Sequence, residues 1–196
     1  MMSLRWTAIA VSPLLTFVSL SYHPAQAEGI VPATDTGTEV TSSGPDHTIT
    51  GGTTSADSQN LFHTFTEFNL LTGESATFIT DPAILNILSG INGGNPSVID
   101  GLLQVSGSNA NLFLINPNGI LFGPNAALNL QGSFTATTAD QVEFVTGEFE
   151  LVNSADYAAL VGEPQSFRFS LEQPGSIVNA GQLAVSSGES VVLVGG

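Results

Sequence analysis

The chain has 196 residues and a formal net charge of −15, with 17 carboxylates against two Lys or Arg. Such a surface cannot neutralise a phosphate backbone, so nucleic acid is excluded as a partner, and an anionic membrane surface is disfavoured for the same reason. A hydrophobic content of 42% with 12 Phe excludes disorder for the bulk of the chain, and the length suits one domain with a real core. There is no Cys. That permits passage across a second membrane as an unfolded chain, which disulfides would obstruct.

Residues 1–27 read as a secretory signal peptide. Arg5 and the free amine form the basic region, residues 7–20 are apolar, and Ala25-Gln26-Ala27 is a small-residue site for signal peptidase just before Glu28. A membrane anchor needs about 20 apolar residues, whereas this run is shorter and is interrupted by Pro13. Cleavage leaves Arg168 as the one strongly basic residue. The remainder, 28–196, is expected to form one unit.

Residues 28–48 are rich in Thr, Gly, Pro and Asp and read as a leader carrying a short strand. Ile49-Thr50-Gly51-Gly52-Thr53 is a strand end with a turn. Phe62, Phe65 and Phe68 recur every three residues, which breaks strict alternation and predicts a bulge or a single helical turn near 62–65. Residues 75–80 read as a strand. For 81–90 the local signals favour a helix: Asp81 as N-cap, Pro82 at the first helical position, Ile84, Ile87, Leu88 and Ile91 on one face, and Gly90 as the stop.

From residue 97 onward a loose pattern recurs, an apolar pair, a polar residue, a Gly and then an apolar run. It runs through Val98–Val105, through 114–122 and through 177–185, with its glycines at Gly101, Gly119 and Gly181. The first interval is 18 residues, and the second, 62, is close to three coils of that size. Coils that cannot bury their own apolar face stack on their neighbours, so this pattern points to a β-solenoid. Residues 140–168 are acidic and irregular and are expected to loop out of the stack. The apolar strand at 190–196 has no polar cap after it, so the chain reads as cut short, either a fragment or a truncated product.

The most informative stretch is 111–126, in which two short apolar strands flank Asn116-Pro117-Asn118-Gly119 and a second turn, Gly123-Pro124-Asn125, follows. Pro presets the first central turn position, Asn tolerates the second, and Gly accepts positive φ. Asn111, Asn116, Asn118, Asn125 and Asn129 all lie at or beside turns. They can bond local backbone, or stack as ladders between coils, or present a rigid turn to a partner.

No catalytic constellation is found. Nucleophile-elbow, dinucleotide and phosphate-loop signatures are missing, His47 and His63 have no metal-site spacing, and Gly93-Gly94 is followed by Asn95-Pro96 rather than a calcium repeat. Hence no cofactor and no metal are expected. His63 reads as a side chain held between neighbouring Phe residues. Asp100, Asp140 and Glu143 qualify for glycoside cleavage only as acids near strand ends. A β-helical enzyme acting on acidic sugars would need basic groups that the chain lacks.

Residues 111–139, with Asn116-Pro117-Asn118-Gly119-Ile120 at their centre, resemble the filamentous haemagglutinin N-terminal domain, the secretion domain of two-partner-secretion exoproteins. Ile49–Thr53, the run Asn60–Asn69 and Gly93-Gly94-Asn95-Pro96-Ser97 support the likeness, which covers roughly 38–196. The resemblance implies an all-β fold, a right-handed parallel β-helix with small accessory hairpins, and a strand rather than a helix at 82–91. It implies a secreted or cell-surface, monomeric product that crosses the periplasm and is recognised by an outer-membrane barrel transporter. It further implies export unfolded through that barrel and folding outside that starts from this domain. Asn116, Pro117, Asn118, Gly119 and Ile120 are the expected secretion motif. Asn95 and Pro96 stand where family members often carry a second motif, Asn-Pro-Asn-Leu, and here Ser97-Val98 replace its second half. A surface-adhesin module is the alternative reading, and a β-helical polysaccharide enzyme a weaker one.

Overall fold

A computed structural model describes residues 29–151 and 156–196. The signal-peptide expectation for 1–27 lies outside these residues. Regular structure in the described chain is strand apart from one short 3-10 turn, Tyr157–Ala159. It enters through β1 (Ile30–Pro32), β2 (Thr38–Ser43), β3 (Asp46–Gly51) and β4 (Thr53–Thr54). It then coils through β5 (Asn60–Phe68), β6 (Ser75–Ile79), β7 (Asn86–Ile91), β8 (Ser97–Ile99) and β9 (Leu102–Ser106). The coil continues as β10 (Asn111–Ile115), β11 (Ile120–Phe122), β12 (Ala127–Asn129) and β13 (Phe134–Thr137). An insertion follows, formed by β14 (Gln141–Phe144), β15 (Gly147–Glu150) and β16 (Ser166–Arg168), before β17 (Ile177–Asn179) and β18 (Val191–Val194) rejoin the stack.

Three parallel faces result. The first runs β5-β7-β10-β13-β18, the second β3-β6-β9-β12, and the third β8-β11-β17. This is a parallel β-solenoid of about four turns. Antiparallel strands close its first edge, β1 and β4 on β5 and β2 on β3.

Strand alternation sends every second side chain inward, where like positions stack. Leu61, Ile87, Leu112, Phe134 and Val191 form one such row on the first face. Ile99 and Phe122 stack on the third face, and Ala76 and Leu103 on the second. All of these except Val191 are buried. Such rows remove large apolar areas from water at about 25 cal/mol per Å², and each coil completes the burial of the one beneath it.

The outward side of the first face is also covered. The insertion lays Val142, Phe144, Phe149, Leu151, Tyr157 and Leu160 over Phe62, Leu88 and Ile115. Phe62 meets Phe149 at 5.3 Å and Tyr157 at 5.7 Å between ring centroids. Residues 140–168 therefore do leave the stack, as a three-stranded antiparallel sheet with its own buried contacts.

Several local expectations are corrected. The region 82–91 contains strand β7, not a helix, preceded by a turn closed by Ile84 N donating to Asp81 O. The leader carries β1, β2 and the start of β3, rather than one short strand. Phe62 to Phe65 is regular alternation, outward then inward, while Phe65 and Phe68 both point into the core. The irregularity therefore lies one step later, where β1 skips Thr66 in pairing with β5. The 18-residue period is not the coil period. Register partners are Asn86 and Asn111, Leu102 and Ala127, or Ser97 and Ile120, so coils take 23–25 residues there. Gly101 and Gly181 each follow a third-face strand, whereas Gly119 precedes one. The long gap holds one coil with an insertion, not three, because Ile120 pairs directly with Ile177.

Candidate functional site: the turn at Asn116–Ile120

The turn joins β10 to β11 at the corner between the first and third faces. Gly119 N donates to Asn116 O at 3.1 Å, closing it, and Gly119 takes φ +119°, which only Gly adopts without strain. Asn116 is fully buried and uses all of its polar atoms. Its Oδ1 accepts from Asn118 N at 2.9 Å and Asn118 Nδ2 at 3.3 Å, the Asx pattern that holds a turn from within. Its Nδ2 donates down to Asn95 O and Ser97 Oγ, both at 3.0 Å, and its backbone N donates to Thr137 O at 3.0 Å.

The coils on both sides grip the same turn. Below, Ser97 N donates to Gly119 O at 3.0 Å. Above, Ile120 N donates to Ser176 O at 3.0 Å and Gly175 N donates to Pro117 O at 2.7 Å. A Cβ on Gly175 would overlap the Asn118 carbonyl carbon and the Gly119 nitrogen, so only Gly permits this approach. Ile120 points into the core and Pro117 is buried. Asn118 alone of the five is exposed.

Asn95 and Pro96 lie on the coil beneath and are exposed. Since Ser97 pairs with Ile120, Asn95 stands level with Asn118 rather than Asn116. Asn95 Nδ2 donates to Glu67 Oε1 at 2.6 Å. Ser97 is buried and receives the Asn116 amide. Beside the turn lies a notch of about 430 Å³ bordered by Ile91, Pro117, Asn118, Asp140, Leu151 and Leu171.

The other asparagines build columns between coils. Asn86 Nδ2 donates to Asn60 Oδ1 and Asn111 Nδ2 to Asn86 Oδ1, each at 3.0 Å. Asn60 Nδ2 caps one end on Leu160 O and Gly162 O, and Asn111 Oδ1 accepts from Ser133 N at the other. A second column runs Asn129 to Gln104 to Thr77. Asn111 and Asn129 thus join ladders, Asn125 bonds Asp100, and Asn116 and Asn118 build the turn. Asn60 and Asn86 belong to the ladder but were not singled out by the sequence, although both open apolar runs at the ladder's 25–26-residue spacing.

The remaining polar candidates have local partners. His63 is fully buried against Phe65 and Phe78, with Nδ1 3.0 Å from Thr38 Oγ1, and burial pushes its pKa down to about 4. His47 bonds Ser42. Asp140 takes the Ser170 amide and hydroxyl. The carboxyl of Glu143 is held low by the Ser166 hydroxyl and Arg168, and that of Asp100 by Thr72 and Asn125. Each carboxylate therefore sits in its own hydrogen-bond set. Among the described residues no group of three or more His, Cys, Asp or Glu could hold a metal.

The described chain is thus a parallel β-solenoid with a flanking antiparallel insertion and a tight Asn-Pro-Asn-Gly corner of which only Asn118 is exposed. The TPS secretion domain family model matches residues 28–196, and the chain belongs to that two-partner-secretion family. Among solved structures it is similar to the HMW1 secretion domain from Haemophilus influenzae, with a TM-score of 0.59 at 23% identity. The match covers 85% of this chain and 38% of that one, so this chain spans well under half the length of its structural relative. No curated protein sequence matches. Family and fold are those of a secretion domain rather than an enzyme, and domains of this family belong to exoproteins secreted across the outer membrane.

Proposed function

We propose that this chain, after loss of residues 1–27 to signal peptidase, enters the periplasm as a monomer and is recognised at Asn116–Ile120 by an outer-membrane barrel transporter. It then passes through that barrel unfolded and nucleates β-helix folding outside the cell. It performs no catalysis and takes no cofactor. The observation that carries this reading is the division of labour within the motif. Asn116, Pro117, Gly119 and Ile120 are buried and pinned by the coils on either side, while Asn118 projects. Asn116 holds the corner in shape and Asn118 presents it, with Asn95 and Pro96 alongside.

Paired substitutions separate shape from contact. Asn116→Ala removes four side-chain hydrogen bonds at a buried site and costs about 2–4 kcal/mol. Asn118→Ala removes an exposed side chain and costs about 0.5 kcal/mol or less. Both variants should fail to reach the cell surface in cells carrying the transporter, with signal cleavage intact. Urea unfolding of the purified mature chains should show the stability loss in Asn116→Ala only. Normal surface export of both variants overturns the proposal.

A further inference from the structure

Resting on the transporter reading above, we propose that the outward row Val98, Leu121 and Val178 of the third face is where a segment of that transporter docks, one with aliphatic side chains flanked by Lys or Arg. The three residues are register partners on β8, β11 and β17, and each is the central, outward residue of a three-residue strand. Leu121 is 40% exposed and Val178 54%, while Val98 is half-buried. Exposed aliphatics scattered singly are ordinary on a protein surface. Three stacked at the rung spacing of about 4.8 Å form a continuous stripe about 10 Å long.

The other two faces do not leave such a row. Outward residues of the first face, Phe62 and Leu88, are covered by the insertion. The second face has two outward rows across β6, β9 and β12. Thr77, Gln104 and Asn129 are already bonded to one another. In the row Ser75, Leu102 and Ala127, Ser75 is polar and bonded to Asp46 and Ala127 is small, leaving Leu102 as a single large aliphatic. Outward positions facing water are ordinarily polar, and the third face departs from that beside the secretion motif, since Leu121 follows Ile120.

Charge selects the occupant. Glu67 lies beside Asn95 just before β8, and Asp100 directly follows β8. Their side-chain partners are neutral: Asn95 and Asn69 for Glu67, Thr72 and Asn125 for Asp100. Neither carboxylate has a cationic partner among the described residues. Arg168 is taken by Glu143 and Glu148 on the insertion. A partner bringing Lys or Arg to the stripe would gain two ready ion pairs, whereas a second copy of this acidic chain would bring like charge.

The test uses the purified mature chain and the full-length transporter in detergent micelles, with binding measured at 50 and 300 mM salt and export followed in cells. Val98→Thr/Leu121→Thr/Val178→Thr keeps β-branched or strand-compatible side chains at outward sites. It should weaken binding about tenfold and reduce export, with an unchanged denaturation midpoint. Leu121→Thr alone should weaken binding about threefold, which keeps the test informative if the triple variant is destabilised. Glu67→Gln/Asp100→Asn should flatten the salt dependence. Wild-type binding and export by the triple variant, with Asn118→Ala still defective, overturns the stripe and leaves the secretion reading intact. Failure of the transporter to bind even the unaltered chain overturns both. Self-association that the triple variant abolishes while transporter binding persists assigns the stripe to a second copy and also overturns the proposal.

Discussion

One buried residue, His63, should make a separable contribution to the loss of stability of this domain on acidification. Its ring is buried between Phe65 and Phe78, its Nδ1 bonds Thr38 Oγ1, and its Nε2 has no hydrogen-bond partner among the described residues. Desolvation disfavours the imidazolium there, lowering the pKa from 6.5 to about 4. The unfolded chain therefore binds the proton first as pH falls. His63's contribution to stability is fully present above pH 6.5 and is lost progressively towards pH 4. A difference of about 2.5 pKa units corresponds to about 3 kcal/mol, a large share of the total stability of a domain this size. Urea unfolding of the mature chain at steps between pH 7 and pH 4, set against His63→Phe, isolates the effect from carboxylates that titrate in both proteins. The wild type should lose about 3 kcal/mol relative to the variant across that window. His63→Gln serves if the Phe variant does not fold. A difference between wild type and variant that stays constant with pH refutes the reasoning.

Three further outcomes are expected. Asn86→Ala breaks the middle of the asparagine ladder, leaving Asn60 Oδ1 without a donor and Asn111 Nδ2 without an acceptor. Denaturant titration should show a loss of about 2–4 kcal/mol. Phe149→Ala opens the contact between insertion and first face and should cost about 3–5 kcal/mol, with limited proteolysis cutting residues 141–168 before the coils. Gly175→Ala, which alters no motif residue, should displace the Asn118–Gly119 peptide and depress export in the same assay as Asn116→Ala.

The helical reading of 81–90 failed for a physical reason. Ile84, Ile87, Leu88 and Ile91 fit a helical face, but a strand buried on both sides also yields a dense apolar run. Ile87 and Ile91 face the solenoid interior, while Leu88 faces the insertion. Nothing near residue 88 announces that a segment some 54–72 residues later will cover it. The fully buried Phe62 was misjudged for the same reason. Its spacing with Phe65 looked irregular only while a single buried face was assumed.

Local chemistry was legible in the sequence alone. The Asn-Pro-Asn-Gly corner, the short strands around it and the scarcity of basic groups all follow from residue type and immediate neighbours, because turn geometry and charge are local properties. The solenoid class came from the family resemblance, since the recurrence read beside it has the wrong period. The tertiary structure decided how coils align: which residues share a rung, that Ser97 receives the Asn116 amide, that Asn60, Asn86 and Asn111 form one column, and that Val98, Leu121 and Val178 form one stripe. Those relations depend on how many residues each coil needs to close around its core, and an insertion between β13 and β17 changes that number without leaving a periodic trace.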